Sequence, residues 1–209
     1  MGRCNHFDQG HGRVRRSVGC VSVALMSESG FALFDTPIGL CGIAWRPAGL
    51  AGLQLPEANE AAARARLRQR FPGLAAAAPP PWVEEAIAAV RRQLGGERVD
   101  LTGLPLDLSG VGDFEVRVYR VAQAIPPGRT RTYGALAAEL GDAGQARAVG
   151  QALGRNPWPI VVPCHRITAA EGRTGGFSAP GGATTKLRLL EIEGALAPDS
   201  LPLFAASPN

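Results

Sequence analysis

Three prolines within seven residues make Asn156-Pro157-Trp158-Pro159-Ile160-Val161-Val162-Pro163-Cys164-His165-Arg166 the stretch of this chain with the least conformational freedom. Each proline fixes φ near −65° and removes a backbone donor. Each also pushes the residue before it out of the helical region. No helix can cross the segment, so the rest of the chain must pack around it. Asn156 to Pro159 reads as a rigid turn, and Ile160 to Val162 as a short buried strand. Cys164 follows at once and therefore sits at the mouth of something buried. The thiolate, the reactive form of cysteine, is a minor species near neutral pH when the pKa is about 8.5. A neighbouring base can raise that fraction. Taken alone, Cys164-His165 also fits a structural thiol beside a chance histidine, because free cysteine is among the most buried residue types.

What precedes that segment reads as helix, tight turn and helix. Phe114, Val116, Val118, Tyr119, Val121 and Ala122 belong to one helix, stopped by Ile125-Pro126-Pro127-Gly128. Arg129 to Thr132 is a short extended piece. Tyr133 to Leu140 forms a second helix, Gly141 to Gly144 a turn, and Gln145 to Gly154 a third helix. A Gly-containing turn between two short helices is the helix-turn-helix pattern, although any helical corner can share it. The third helix places Arg147 among Ala146, Ala148 and Gly150, a small-residue surface with one long cationic arm. Thr168 to Gly176 looks like a hairpin, and Gly176 to Gly182 a glycine-rich loop. Ala183 to Glu193 reads as a helix with Leu187, Leu190 and Ile192 on its apolar side, ended by Gly194.

The N-terminal half has a different character. Phe31 to Phe34, Leu40 to Trp45 and Leu50 to Leu55 alternate as three strands joined by Thr36-Pro37-Ile38-Gly39 and Pro47-Ala48-Gly49. Connections this short imply an antiparallel meander. Cys41 falls in its core. An Ala/Arg-rich helix runs from Pro56 to about Phe71. Its arginines at 64, 66, 68 and 70 spread round the helix, as on a solvated face. A second helix, opened by Pro81, carries Trp82, Val83, Ala86, Ile87, Val90 and Leu94 as one stripe. Val99 to Leu108 looks extended, and Ser109-Gly110 marks a boundary. The expected organisation is a tail at 1–26, an α/β domain at 27–108, a mostly helical domain at 111–195 and a second tail at 196–209.

Composition narrows the function classes. No apolar run approaches the ~20 residues of a membrane span. The patch from Val18 to Met26 is broken by Gly19, Cys20 and Ser22, with no cleavage site after it, and Met26 reads as a natural start. Four scattered cysteines do not form a disulfide framework and suit a reducing cytoplasm. Cys4, His6, His11 and Cys20 have no common zinc spacing, and no metal or cofactor is expected. Residues 111–195 hold ten Lys and Arg against seven acids, a modest basic excess that suits a polyanion partner.

The C-terminal half resembles the O6-alkylguanine-DNA alkyltransferases, the methylated-DNA–protein-cysteine methyltransferases. The resemblance rests on Ile125-Pro126-Pro127-Gly128 with Thr130 and Tyr133, and on Arg147-Ala148-Val149-Gly150. It continues through Asn156-Pro157, Pro163-Cys164-His165-Arg166, and Lys186 with Leu189-Leu190 and Glu193-Gly194. Asp35 to Gly39 and Pro105 to Leu108 extend it weakly into the first half. It implies an N-terminal ribonuclease-H-like α/β domain of antiparallel sheet and helices, and a C-terminal domain with a winged helix-turn-helix-like unit.

The resemblance implies a function as well. A monomer would bind double-stranded DNA containing O6-alkylguanine through the minor groove, without sequence preference. Arg147, Ala146, Ala148, Gly150, Thr130, Tyr133, Arg155 and Arg166 would meet the DNA. The base would swing into a pocket built from Val162, Pro159, Trp158, Ser178, Phe177 and Asn156. Cys164 would take the alkyl group. His165 would accept the thiol proton, Glu193 would orient His165, and Tyr133 and Lys186 would support the leaving base. The product thioether would be permanent. Whether O4-methylthymine is a further substrate is left open by the sequence.

The chain departs from the family at Phe177, where a tyrosine is frequent, and in the longer 178–182 loop. Three other readings stay open on the residues alone: a lesion binder without transfer, a thiol hydrolase built on Cys164, His165 and Glu193, and a helix-turn-helix regulator.

Overall fold

The computed structural model describes residues 29–170 and 174–195. The expectations for residues 1–26, the possible zinc ligands among them, and for the tail at 196–209 lie outside the described residues.

The first half is built on three strands, β1 (Gly30–Thr36), β2 (Gly39–Arg46) and β3 (Gly49–Gln54), in the order β1-β2-β3. Both pairings are antiparallel, with Phe34 opposite Cys41 and Ile43 opposite Leu53. Side chains alternate between faces along a strand, and this sequence uses the alternation. Cys41, Ile43 and Trp45 point into the main core. Ala44 on the opposite face joins a smaller cluster with Phe31, Ala51, Leu67 and Phe71. That second face is lined with small residues, so α1 (Glu60–Arg70) lies close against it. A Cβ added at Gly42 would stand 2.8 Å from Leu67 Cδ1. On the main-core side, α2 (Pro81–Leu94) buries Val83, Ala86, Ile87, Val90 and Leu94, the predicted stripe. Proline at its first position costs nothing, because that N–H would have no helical partner.

The second half begins with α3 (Asp113–Gln123). Strand β4 (Arg131–Thr132) leads directly into α4 (Tyr133–Glu139), whose N-cap is Thr132. The Thr132 hydroxyl accepts the Ala135 N–H at 3.1 Å, one of the orphan donors at a helix start. A single 3-10 turn (Ala143–Gln145) joins α4 to α5 (Ala146–Gly154). Helix α5 buries Val149, Ala152 and Leu153 and leaves Arg147 exposed. Tyr119 of α3 donates to the Ala152 carbonyl at 3.0 Å and meets Trp158 edge-on at 5.8 Å. After a second 3-10 turn (Cys164–Arg166), β5 (Ile167–Thr168) pairs parallel with β4. Helix α6 (Gly182–Ile192) closes the described chain. Buried residues from both halves form one continuous apolar cluster, from Ile43 and Leu53 through Val83 and Val118 to Trp158 and Val162.

Several local expectations need correction. Helix α1 starts at Glu60, not Pro56, because the Asn59 side chain caps it by accepting from Ala62 N–H. Val99 to Leu108 forms turns, and only Leu106 makes a bridge, to Leu50. Ile160 to Val162 is a turn, not a strand. Ile160 adopts φ +76°, a conformation that costs a β-branched residue about 1–3 kcal/mol. Thr168 pairs with Thr132 in a parallel ladder, a partner the sequence did not suggest; the turn of the expected 168–176 hairpin falls on residues 171–173, outside the described residues. On α6 the buried apolar side chains are Leu189 and Leu190 rather than Leu187 and Ile192.

Candidate active site

Cys164 opens the 3-10 turn that follows Pro163, and its N–H bonds back to the Val162 carbonyl at 2.8 Å. That tight return turns the thiol out of the apolar run and into a cleft of about 880 Å³. Tyr133 and Thr132 from the start of α4 line the cleft, with Ala146, Arg147 and Gly150 from α5 and Phe177 and Ser178 from the loop before α6. A smaller cavity of about 200 Å³ also reaches Cys164, bordered by Asn156, Pro159, Phe177 and Ser178. Gly150 is open towards the cleft: a Cβ there would only touch the Tyr133 ring at 3.7 Å.

Behind the thiol lies a buried charge network. His165 is fully enclosed, and its Nε2 lies 2.9 Å from Glu193 Oε1. A carboxylate can only accept, so Nε2 carries the hydrogen and Nδ1 is left with its lone pair. Nδ1 has no protein partner. Arg166 forks onto the same carboxylate, Nε to Oε2 at 2.8 Å and an Nη to Oε1 at 2.8 Å. Its other Nη donates to the Ile125 carbonyl. Burial works to raise the Glu193 carboxyl, but the hydrogen bonds from His165 and Arg166 and their charges outweigh it and hold it at about 2. Burial pushes His165 below its ordinary value, with Glu193 pulling the other way, so the imidazole is neutral at pH 7. Burial also pushes the Cys164 thiol up, moderated by its hydrogen bond with Asn156 and by the charge of Lys186.

Lys186 is completely buried, and burial lowers it to about 8. Its Nζ donates to the Ile167 carbonyl and sits 5.8 Å from the centre of the Tyr133 ring. The Tyr133 hydroxyl donates to the Gly176 carbonyl at 3.4 Å, and burial raises its pKa. Asn156 ties the turn together: its Nδ2 donates to the Val162 carbonyl at 2.8 Å and its Oδ1 accepts the Trp158 N–H at 2.9 Å. β3 secures the same turn from outside, through Leu53 N–H to the Pro157 carbonyl at 2.8 Å.

The structure thus brings Cys164, His165, Glu193, Tyr133 and Lys186 around one site, with Arg147, Ala146 and Gly150 on the helix that walls it. Ala148 is half-buried on α5, and Thr130 is exposed beside β4. Arg155 is exposed and paired with Glu115 at 2.5 Å. Arg166, expected at the DNA, is instead turned inward: its hydrogen bonds run to Glu193 and the Ile125 carbonyl, and it is 5% exposed. Trp158 does not line the pocket either; it is buried in the core and donates to the Leu50 carbonyl at 2.6 Å. Val162 is also enclosed, its carbonyl already taken by Asn156 and Cys164. Sequence reading missed Gln93, which reaches Glu193 from α2. The available signal was a glutamine three residues after Val90, on an otherwise apolar helical stripe.

A family model described as "6-O-methylguanine DNA methyltransferase, DNA binding domain" matches residues 113–195. The methylated-DNA–protein-cysteine methyltransferase of Mycolicibacterium paratuberculosis is 39% identical over 176 residues, covering 81% of this chain and 95% of that relative. The chain belongs to the methylated-DNA–protein-cysteine methyltransferase family. Among solved structures of this family, Mycobacterium tuberculosis OGT in complex with DNA is similar to it with a TM-score of 0.64 and 34% identity, over 79% of this chain and 93% of that one. A Thermus thermophilus protein named a DNA base-flipping protein is 45% identical over 121 residues, covering 56% of this chain and 80% of that relative. As a methyltransferase family member, the chain has the expected mixed α/β fold, with a three-stranded antiparallel sheet and helices. Among the described residues, no helix is long and apolar enough to cross a membrane.

Proposed function

We propose that this protein repairs O6-alkylguanine in double-stranded DNA by moving the alkyl group, irreversibly, onto its own Cys164. The observation that carries this reading is the buried Cys164–His165–Glu193 set at the base of a cleft walled by α5. Helix α5 enters the minor groove with its small face, Ala146 and Gly150, against the backbone. The degenerate hydrogen-bond code of that groove suits a protein that must find lesions in any sequence. Arg147, exposed on the cleft wall, fills the gap left by the extruded nucleotide. Flipping costs a few kcal/mol and least for a poorly paired base, which favours the alkylated guanine.

With the base in the cleft, His165 Nδ1 takes the thiol proton through a water, and its Nε2–H remains held by Glu193. The sulfur attacks the alkyl carbon as the bond from that carbon to O6 breaks, and the electron pair passes to the guanine. Tyr133 donates to N3 as charge builds there, and Lys186 steadies the Tyr133 ring and the loop at Gly176. The sulfur keeps the alkyl group as a thioether. No group in the site can hydrolyse it, so each molecule acts once. A monomer suffices, since every named group comes from one chain.

The test is incubation with an oligonucleotide carrying O6-methylguanine, then intact mass and peptide mapping. The expected result is a gain of about 14 Da on the peptide holding Cys164, with at most one methyl per protein. Cys164→Ser should bind the lesion and leave it in place. Binding without mass gain in the parent protein would instead make it a lesion sensor, and repeated turnovers would overturn the single-use reading.

A further inference from the structure

Glu193 stands at a poor place for a carboxylate. It is the C-cap of α6, where the negative end of the helix dipole opposes its charge. Its described partners are three. His165 and Arg166 are consecutive residues of one 3-10 turn, so together they fix the carboxylate only relative to that turn. The third partner is Gln93, from α2 in the other half of the chain. Its Nε2 donates to Glu193 Oε1 at 2.9 Å, and its Oε1 accepts the Val99 N–H at 3.1 Å. Gln93 is 2% exposed. The amide orientation follows from its neighbours: Val99 N–H needs an acceptor and Glu193 needs a donor, so the side chain cannot be reversed without losing both bonds.

We infer that Gln93 is a positioning residue for alkyl transfer, clamping the Glu193 carboxylate against His165 from the N-terminal half so that Nδ1 of His165 faces the thiol as a base. This rests on the function proposed above. Glu193 Oε1 then accepts three hydrogen bonds, from His165, Arg166 and Gln93. A carboxylate oxygen so shared holds the imidazole in place but pulls less on its proton. Removing the Gln93 donor has two consequences. The carboxylate gains freedom to swing, and more of its charge falls on His165, which makes the imidazole easier to protonate. The charged and titratable groups around His165 are Glu193 and Arg166 on one side and Lys186 and Cys164 on the other. Only Glu193 changes its bonding when Gln93 is replaced.

Gln93→Met keeps the side-chain length and volume and loses both polar contacts. In single-turnover transfer from O6-methylguanine DNA, we expect the rate to fall about tenfold, the scale of one hydrogen bond to a charged group. Affinity for the lesion duplex should stay within about twofold, because Gln93 is buried and lines neither cavity beside Cys164. The acid limb of the rate should move to higher pH, as His165 takes up its proton sooner. Val90→Ala, a core truncation one turn away on α2, serves as the packing control and should keep the parent pH profile. A Gln93→Met protein with parent rate and profile would overturn the inference, as would a slower one whose profile stays put and matches Val90→Ala. If Gln93→Met does not fold, Gln93→Glu keeps the shape, places a second carboxyl against Glu193, and should be slowed with the same upward shift; parent-like behaviour there is equally fatal. If the parent protein itself transfers no methyl group, the proposed function fails rather than the role of Gln93.

Discussion

Glu193 shows how much one side chain can carry. Its carboxylate is the meeting point of His165, Arg166 and Gln93, and all three of those side chains are buried. Replacing it with glutamine leaves Arg166 charged, buried and without its anion. Breaking one member of a buried pair costs about 3 kcal/mol, so Glu193→Gln should unfold at a distinctly lower urea concentration at pH 7. It should also slow transfer by at least tenfold, since His165 loses its orienter. The pH dependence has a definite sign. The carboxyl lies at about 2 in the fold against an ordinary 4.5, so the unfolded chain takes the proton first. The stabilisation from Glu193 is complete above about pH 4.5 and is lost as pH falls towards about 2. His165 acts in the same direction: its folded value is depressed, so stability also declines below about pH 6.5. A urea midpoint measured from pH 7 to pH 3 should fall throughout, and Glu193→Gln should flatten the lower part.

Among the elements, the turn from Asn156 to Pro159 matters most, because it hangs Cys164 from α5, the helix proposed to meet DNA. It is held inside by Asn156 and outside by β3 and α1: Leu53 N–H and an Arg70 Nη both reach the Pro157 carbonyl, at 2.8 and 3.2 Å. Such close contact needs a bare backbone at Gly52. A Cβ there would lie 2.3 Å from Phe71 Cζ and 3.0 Å from the Pro157 carbonyl oxygen. Gly52→Ala should therefore destabilise by about 2 kcal/mol through overpacking, read by thermal or urea unfolding, and should slow transfer in the folded fraction by displacing the turn. On the facing element, Gly150→Leu should leave stability nearly unchanged, because that position opens onto the cleft. It should weaken lesion binding in a fluorescence titration by filling the space beside Tyr133. Elements were legible to different degrees. The α2 stripe and the three-strand meander follow from period alone. The turn at 160–162 does not, because a non-glycine residue at positive φ, here the buried Ile160, has no local signature in the sequence.

Taken whole, the molecule carries a net charge of +4, with Arg147 exposed on the wall of the cleft that holds the thiol. Each phosphate contact steepens the fall of log affinity with log salt by about 0.9. With two or three such contacts, binding to undamaged duplex should weaken roughly tenfold to fortyfold between 50 and 200 mM salt. A flat salt response would argue against the DNA face assigned to α5. The sequence alone determined the set of residues on which the proposed chemistry rests. Pro163-Cys164-His165-Arg166, the Arg147 helix, Tyr133, Lys186 and Glu193 are residue types in a set order, and order survives without coordinates. It also determined most of the strands and helices, because burial periodicity is written locally. Only the tertiary structure decided which charges face inward. The family resemblance places Arg166 at the DNA, yet it neutralises Glu193 from 27 positions away. Trp158 reads as a pocket wall, yet it plugs the core beneath Leu50. Gln93 drew no reading from the sequence, yet it joins the two halves at the buried Glu193 carboxylate across 100 positions. A side chain's partner is set by how the chain closes on itself, and pairings across such distances leave no local period to read.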